Sequence, residues 1–330
     1  AFTAYNTRIV APPHGSMLPM SPVRKNILMV ACALGLLIPV VIIFICENMN
    51  TRVRGRKDLE SVTVPFIGEI PLFTRKKKGI FRKKPQEVRA IVVKEGSRDI
   101  INEAFRVLRT NLEFMTGKDK ASNVIIVTSF NPGSGKSFLT MNIAVSFAIK
   151  GKKVLVIDGD LRHGSASSYI DSPTKGLSDY LGGRIDNLNE IIVTNPKQKY
   201  LDILPVGTIP PNPTELLFDD RLKQVIDTVR EQYEYVLIDC PPIELVADTQ
   251  IIEKLADRTI FVVRAGLLEL SMLAELEKIY GEKKYKNMSL ILNGTEGSGG
   301  RYGYRYGYRY GYHYGYGSEY HYGSDEKYIE

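Results

Sequence analysis

Apolar and polar positions divide the chain into unlike regions. Residues 27–46, ILMVACALGLLIPVVIIFIC, are uncharged over the length a helix needs to cross a bilayer's hydrocarbon core, with Pro39 as a kink. The run is longer than the apolar part of a signal peptide, and no small-residue cleavage site follows it. Arg24 and Lys25 flank one end; Arg52, Arg54, Arg56 and Lys57 crowd the other. That basic bias puts the C-terminal portion in the cytoplasm. Residues 1–21 are broken by proline and too short to fold alone. They are expected to be the end of a longer protein's extracytoplasmic part.

Further on, the apolar spacing changes period. Residues 97–115 place Ile100, Ile101, Ala104, Phe105, Leu108 and Leu112 on one helical stripe, with Ser97 as the N-cap. Glu103, Arg106 and Arg109 step by three and fan across the surface away from that stripe, either as a solvated face or as a patch for a neighbouring subunit. From Asn123 short apolar runs at 124–128, 153–158, 201–205, 235–239, 258–263 and 288–293 read as strands. Helix-like stretches at 138–150, 221–231, 249–255 and 271–280 lie among them. The pattern predicts an α/β fold, a doubly wound parallel sheet whose ligands sit at the carboxyl ends of the strands. The expected organisation is a proline-rich start (1–25), a membrane span (26–47), a basic juxtamembrane linker (48–95), the α/β domain (96–294) and a tail (295–330).

Composition adds little to this picture, since 44% hydrophobic and 25% charged residues describe a globular average. Three cysteines, Cys32, Cys46 and Cys240, give no disulfide framework. The net charge of +7 comes largely from residues 75–84, RKKKGIFRKK, with seven basic residues and no acid. Behind a span, such a run reads as contact with anionic lipid headgroups, at about 1 kcal/mol per basic residue, or as a solvated linker. Nucleic acid is not the expected partner. In the tail, Tyr302, Tyr304, Tyr306, Tyr308, Tyr310, Tyr312, Tyr314 and Tyr316 alternate with Gly, Arg and His, followed by Tyr320, Tyr322 and Tyr328. Glycine on the other face, without branched aliphatics, cannot build a core, so the tail is expected to be disordered.

The chemistry concentrates at strand ends. VIIVTSFNPGSGKS runs from a strand into a glycine-rich turn, where backbone N–H groups form an anion nest, Lys136 adds a charge for β/γ-phosphate and Ser137 offers a hydroxyl to Mg²⁺. Pro132, Gly133, Ser134, Gly135, Lys136, Ser137 and Phe138 form this expected ATP cradle. Phe130 stands where the usual motif begins with glycine, so the loop opens on Asn131. VLVIDGDLR ends in Asp158 and Asp160, and VLIDCPP in Asp239. Carboxylates beside a phosphate loop are suited to holding Mg²⁺ and to taking a proton from an attacking hydroxyl.

Together these motifs resemble the second membrane span and cytoplasmic kinase domain of bacterial tyrosine kinases tied to capsular and exopolysaccharide assembly. The similarity runs from about Pro12 to the C-terminus. It implies a P-loop NTPase-like fold and an ATP- and Mg²⁺-dependent tyrosine autokinase acting in trans on the tail tyrosines. NPGSGKS corresponds to Walker A, IDGDLR to Walker A′ and LIDCPP to Walker B. The resemblance makes Lys136, Asp158 and Asp160 catalytic, Ser137, Asp158, Asp160 and Asp239 metal-binding, and Asn293 a contact of the adenine. Glu103, Arg106 and Arg109 match the motif by which family members form rings. Implied partners are other copies of the chain, the polysaccharide polymerase and export machinery, and a cognate tyrosine phosphatase, at the bacterial inner membrane. Cys240, in a place where relatives often carry threonine, is expected to make the site thiol-sensitive. The rivals are a partitioning-type ATPase, whose signature lysine would stand at Asn131, and a non-catalytic co-polymerase scaffold.

Overall fold

A computed structural model of the chain describes residues 24–48, 51–73, 90–116, 123–244 and 247–296. The proline-rich start, the basic run at 75–84 and the tyrosine tail lie outside them. Two units are distinguished, residues 1–51 and 52–330. In the first, α1 (Arg24–Asn48) is apolar on every side and contains Pro39. Its mean hydropathy of 3.0 over Arg24–Ile45 makes it the one helix among the described residues long and apolar enough to cross a membrane.

The second unit is built on eight strands: β1 (Phe66–Pro71), β2 (Asn123–Thr128), β3 (Val154–Asp158), β4 (Val193–Thr194), β5 (Leu201–Leu204), β6 (Tyr235–Asp239), β7 (Arg258–Arg264) and β8 (Ser289–Thr295). Their order is β1-β8-β7-β2-β6-β3-β5-β4, parallel except for the β4–β5 pair at one edge. Val124 and Ile126 belong to one apolar cluster, Ile125 and Val127 to the other, so both faces of the sheet are covered. α2 (Ile100–Thr116) and α3 (Lys136–Ile149) cover one face. The other carries residues of α4 (Leu177–Leu181), α5 (Pro213–Phe218), α6 (Asp220–Gln232), α7 (Asp248–Glu253) and α8 (Met272–Gly281).

All six expected strands are present. β1 and the two-residue β4 are additional, as are the short helices α4 and α5. β1 comes from the stretch expected as juxtamembrane linker: Val53, Leu59, Val64, Ile67 and Ile70 are buried, and β1 pairs with β8. The segment is short and interrupted by Gly68 and Pro71, and its partner β8 lies about 220 positions later in sequence. The N-cap of α2 is Asp99 rather than Ser97, because the Asp99 carboxylate accepts from Asn102 N at 2.8 Å while Ser97 Oγ donates to that same carboxylate.

α2 rests on β1 through a close contact. A β-carbon added to Gly68 would stand 3.3 Å from Leu108 Cδ1, and Leu108 is fully buried. Gly68→Val is therefore expected to destabilise the folded unit by about 1–3 kcal/mol through overpacking, measured by urea denaturation. An unchanged midpoint would show that α2 does not depend on this strand.

Candidate nucleotide and metal site

β2, β6 and β3 are neighbours, and their carboxyl ends meet in register: Val127 pairs with Asp239, and Asp239 with Asp158. The three expected motifs thus converge at adjacent strand tips. Phe130 is buried and packs edge-on against Phe261, with ring centroids 4.9 Å apart, so the residue that replaces glycine pins the start of the loop to the core. The loop then turns at Asn131, whose carbonyl accepts from Ser129 Oγ and Ser134 Oγ at 2.8 Å each. Gly133 and Gly135 hold φ of +74° and +87°, the left-handed region that a side chain would strain. Lys136 opens α3, so the nest lies at a helix N-terminus, favourable for an anion.

The carboxylates differ in their surroundings. Asp158 is fully buried; its Oδ2 accepts from Ser167 N at 2.6 Å and Ser167 Oγ at 2.7 Å, while Oδ1 has no partner. Asp239 is buried with neither oxygen hydrogen-bonded. Burial, and then the charge of Asp158, push the Asp239 carboxyl well above the usual carboxylate range. The Ser137 hydroxyl and the Lys136 ammonium act against this. Burial likewise raises Asp158, against the two Ser167 bonds. Asp160 turns into its own loop, where Oδ1 accepts from Arg162 N and His163 N at 3.2 Å each and Oδ2 lies 3.2 Å from His163 Nδ1.

The expected metal set of Ser137, Asp158, Asp160 and Asp239 is therefore not a ready cage: among the described residues, no three Asp, Glu, His or Cys side chains are grouped to hold an ion by themselves. Asp160 is engaged by backbone N–H groups and half of Asp158 by Ser167. The remaining three carboxylate oxygens are buried and unpartnered, which fits a cation that keeps most of its water and takes further oxygens from a phosphate, as Mg²⁺ does. Cys240 is corrected as well. It is fully buried, burial raises its thiol pKa well above the ordinary value, and its N–H donates to Val127 O, so it is an inert core residue.

A cleft of about 540 Å³ opens over the loop, lined by Pro132, Gly133, Gly135, Lys136, Ser137, Phe138 and Asp160 as expected. Asn293 lines it too, and its buried amide donates to Ser134 O at 2.8 Å, so the residue expected at the base also ties β8 to the loop. Ser134 is buried beneath this contact. Sequence reasoning missed Leu72, Phe73, His163, Tyr169 and Arg264 in the lining. The oligomerisation trio does not form one outward fan. Arg106 pairs with Glu103 on the surface, whereas Arg109 reaches inward to Ser146 O of α3 at 2.8 Å, because α3 packs beside it.

The uncompensated Asp239 makes a stability prediction. Its folded pKa lies above the value near 3.9 of an unfolded chain. Stability is therefore lost as pH rises from about 4 through the folded value, since the unfolded state releases its proton first. Asp239→Asn, free of metal and nucleotide, is expected to gain about 1–3 kcal/mol at pH 8, with the gain shrinking towards pH 5. Chemical denaturation in chelator checks this; equal stability at pH 8 would mean that the carboxylate is already compensated.

Residues 122–290 match the AAA domain family. The chain is 35% identical over 209 residues to the tyrosine-protein kinase YwqD of Bacillus subtilis, covering 63% of this chain and 87% of that protein. It is 31% identical over 274 residues to the tyrosine-protein kinase etk of Escherichia coli, covering 79% of this chain and 37% of that protein. The chain thus spans under two fifths of this longer relative. The solved kinase domain of Escherichia coli ETK superposes with a TM-score of 0.64 at 29% identity, covering 81% of this chain and all of that one. With its phosphate loop beside two acidic strand ends paired in register, the chain belongs to the bacterial tyrosine kinase family.

Proposed function

We propose that the chain is an ATP- and Mg²⁺-dependent protein tyrosine kinase whose acceptors are the tail tyrosines, Tyr302 to Tyr328, of neighbouring copies. The observation that carries this reading is the in-register pairing of Asp158 with Asp239 beside the Lys136 loop, with three carboxylate oxygens buried and unpartnered. The loop N–H groups and Lys136 hold the β- and γ-phosphates. Ser137, Asp239 and Asp158 would hold Mg²⁺, directly or through water. Mg²⁺, when bound, neutralises charge between the phosphates. Asp160 lines the open cleft, which supports its role as the group that takes the acceptor's proton. As the tyrosine oxygen bonds to the γ-phosphorus, the bond to the ADP oxygen breaks and the phenolic proton passes to the Asp160 carboxylate.

α2 supports assembly with a second copy. Glu103 and Arg106 lie on its surface, and Ile100, Val107 and Phe114 are exposed at seven-residue spacing. A random-coil segment of about 15 residues spans a root-mean-square distance of roughly 20 Å, a length that would suit transfer between adjacent subunits. Each phosphotyrosine adds about 1.5 to 2 negative charges, so a filled tail repels its neighbours and loosens a ring. α1 anchors the chain in the inner membrane, residues 75–84 meet anionic lipid, and the kinase unit faces the cytoplasm. In that setting the cycle regulates the polysaccharide polymerase and export machinery, and a cognate phosphatase resets it.

Incubated with γ-labelled ATP and Mg²⁺, the full chain is expected to carry label on its tail tyrosines by peptide mapping. Lys136→Met is expected to lose about 100-fold or more of the rate. Asp160→Asn is expected to lose about 100- to 10,000-fold while still binding ADP. An unlabelled tail in oligomeric, ADP-binding protein sinks the proposal.

A further inference from the structure

The cleft has two unlike sides. Asp239 and Asp158 end β6 and β3 on one side of β2, whereas Arg264 and Asn293 end or approach the ends of β7 and β8 on the other, paired in register. Arg264 is half-buried and its side chain lies across two glycines of positive φ. A β-carbon on Gly294 would stand 2.8 Å from Arg264 Nε and 3.2 Å from Cζ; one on Gly135 would stand 3.4 Å from Nη1. The guanidinium therefore fills the space over Gly294 and borders Gly135, whose added β-carbon would meet Asn293 Nδ2 first. Leu72 and Phe73, 42% and 37% exposed, border the same cleft. A planar cation edged by exposed apolar and aromatic surface fits the face of a heteroaromatic ring. In the proposed function the phosphates fall to the loop N–H groups and Lys136, which leaves the β7 end for the base.

We propose that Arg264 is a base-binding residue, its guanidinium packed against the face of the nucleotide's purine. This rests on the nucleotide reading of the cleft. It assigns the β7 end a role separate from the phosphate loop: Lys136 and the nest hold charge, and Arg264 holds the ring. Because stacking needs the delocalised plane and not charge alone, lysine does not replace it.

The test compares the full chain in detergent with Arg264→Met and Arg264→Lys, titrating Mg²⁺-ADP and Mg²⁺-tripolyphosphate by calorimetry. Both variants are expected to bind ADP about 3- to 30-fold more weakly and tripolyphosphate within about 2-fold of wild type, that is, less than 0.5 kcal/mol. Parallel losses for both ligands would make Arg264 a phosphate contact and overturn the proposal. Wild-type affinity for ADP in Arg264→Lys would overturn it as well. A wild-type chain that binds neither ligand defeats the nucleotide reading itself, a result distinct from indifferent Arg264 variants. Should Arg264→Met fail to melt cooperatively, Arg264→Lys and Arg264→Gln carry the same comparison.

Discussion

The folded unit is organised around negative charge held out of water. Asp158 and Asp239 face each other across one rung of the β3–β6 pair, buried, with three of their four oxygens unpartnered. Two such carboxylates in a low-dielectric strand end are costly, and removing either charge would relieve the protein. The fold tolerates the arrangement because a cation source stands beside it. Lys136 opens the next helix, and the N-terminal end of that helix already favours anions on the phosphate side. In the proposed function a Mg²⁺ ion would supply positive charge there, and a bound phosphate further oxygens for the ion. Because burial and the neighbouring Asp158 favour the protonated Asp239 carboxyl, a cation bound there would compete with a proton.

The same strand order that sets those acids together also sets what lies opposite. β2 carries the loop; β6 and β3 lie to one side of it, and β7, β8 and β1 to the other. The cleft over the tips is lined by the Asp160 carboxylate and by Arg264, Asn293, Leu72 and Phe73. β1 matters here because Leu72 follows it directly and its N–H donates to Thr295 O at the end of β8. The stretch after the apolar helix in sequence is thus part of the cleft wall.

Most of the sheet was legible in the sequence, because buried parallel strands such as Val124–Thr128 and Tyr235–Asp239 are continuous apolar runs whose last residues carry the chemistry. The acids were found by asking which strands end in a carboxylate. Arg264 ends the run TIFVVR in the same way, and the same question asked of cations would have found it. β1 was not legible as a strand: Phe66–Pro71 is short, contains Gly68 and Pro71, and gains its place from β8. The direction of Arg109 was hidden as well, since a step of three along α2 says where a residue starts but not that Ser146 of α3 waits to accept it.

That last contact links two parts of the molecule that the sequence treats separately. Arg109 Nη1 donates to Ser146 O near the C-terminal end of α3, whose first residue is Lys136. Asn142, in the middle of α3, is fully buried and uses its amide completely, accepting from Val92 N and Val93 N and donating to Ala90 O and Phe138 O. α3 is therefore gripped along its length by α2 and by residues 90–93, while its N-terminus forms the phosphate cradle. The Asn142 amide, with its oxygen and both its donors engaged, resists sliding more than an apolar contact of equal area, since any displacement leaves a buried group unpaired; Arg109 Nε, also buried, has no partner. The cradle's position is thus fixed from behind by elements that do not touch the ligand, which leaves the loop free to be shaped by its glycines.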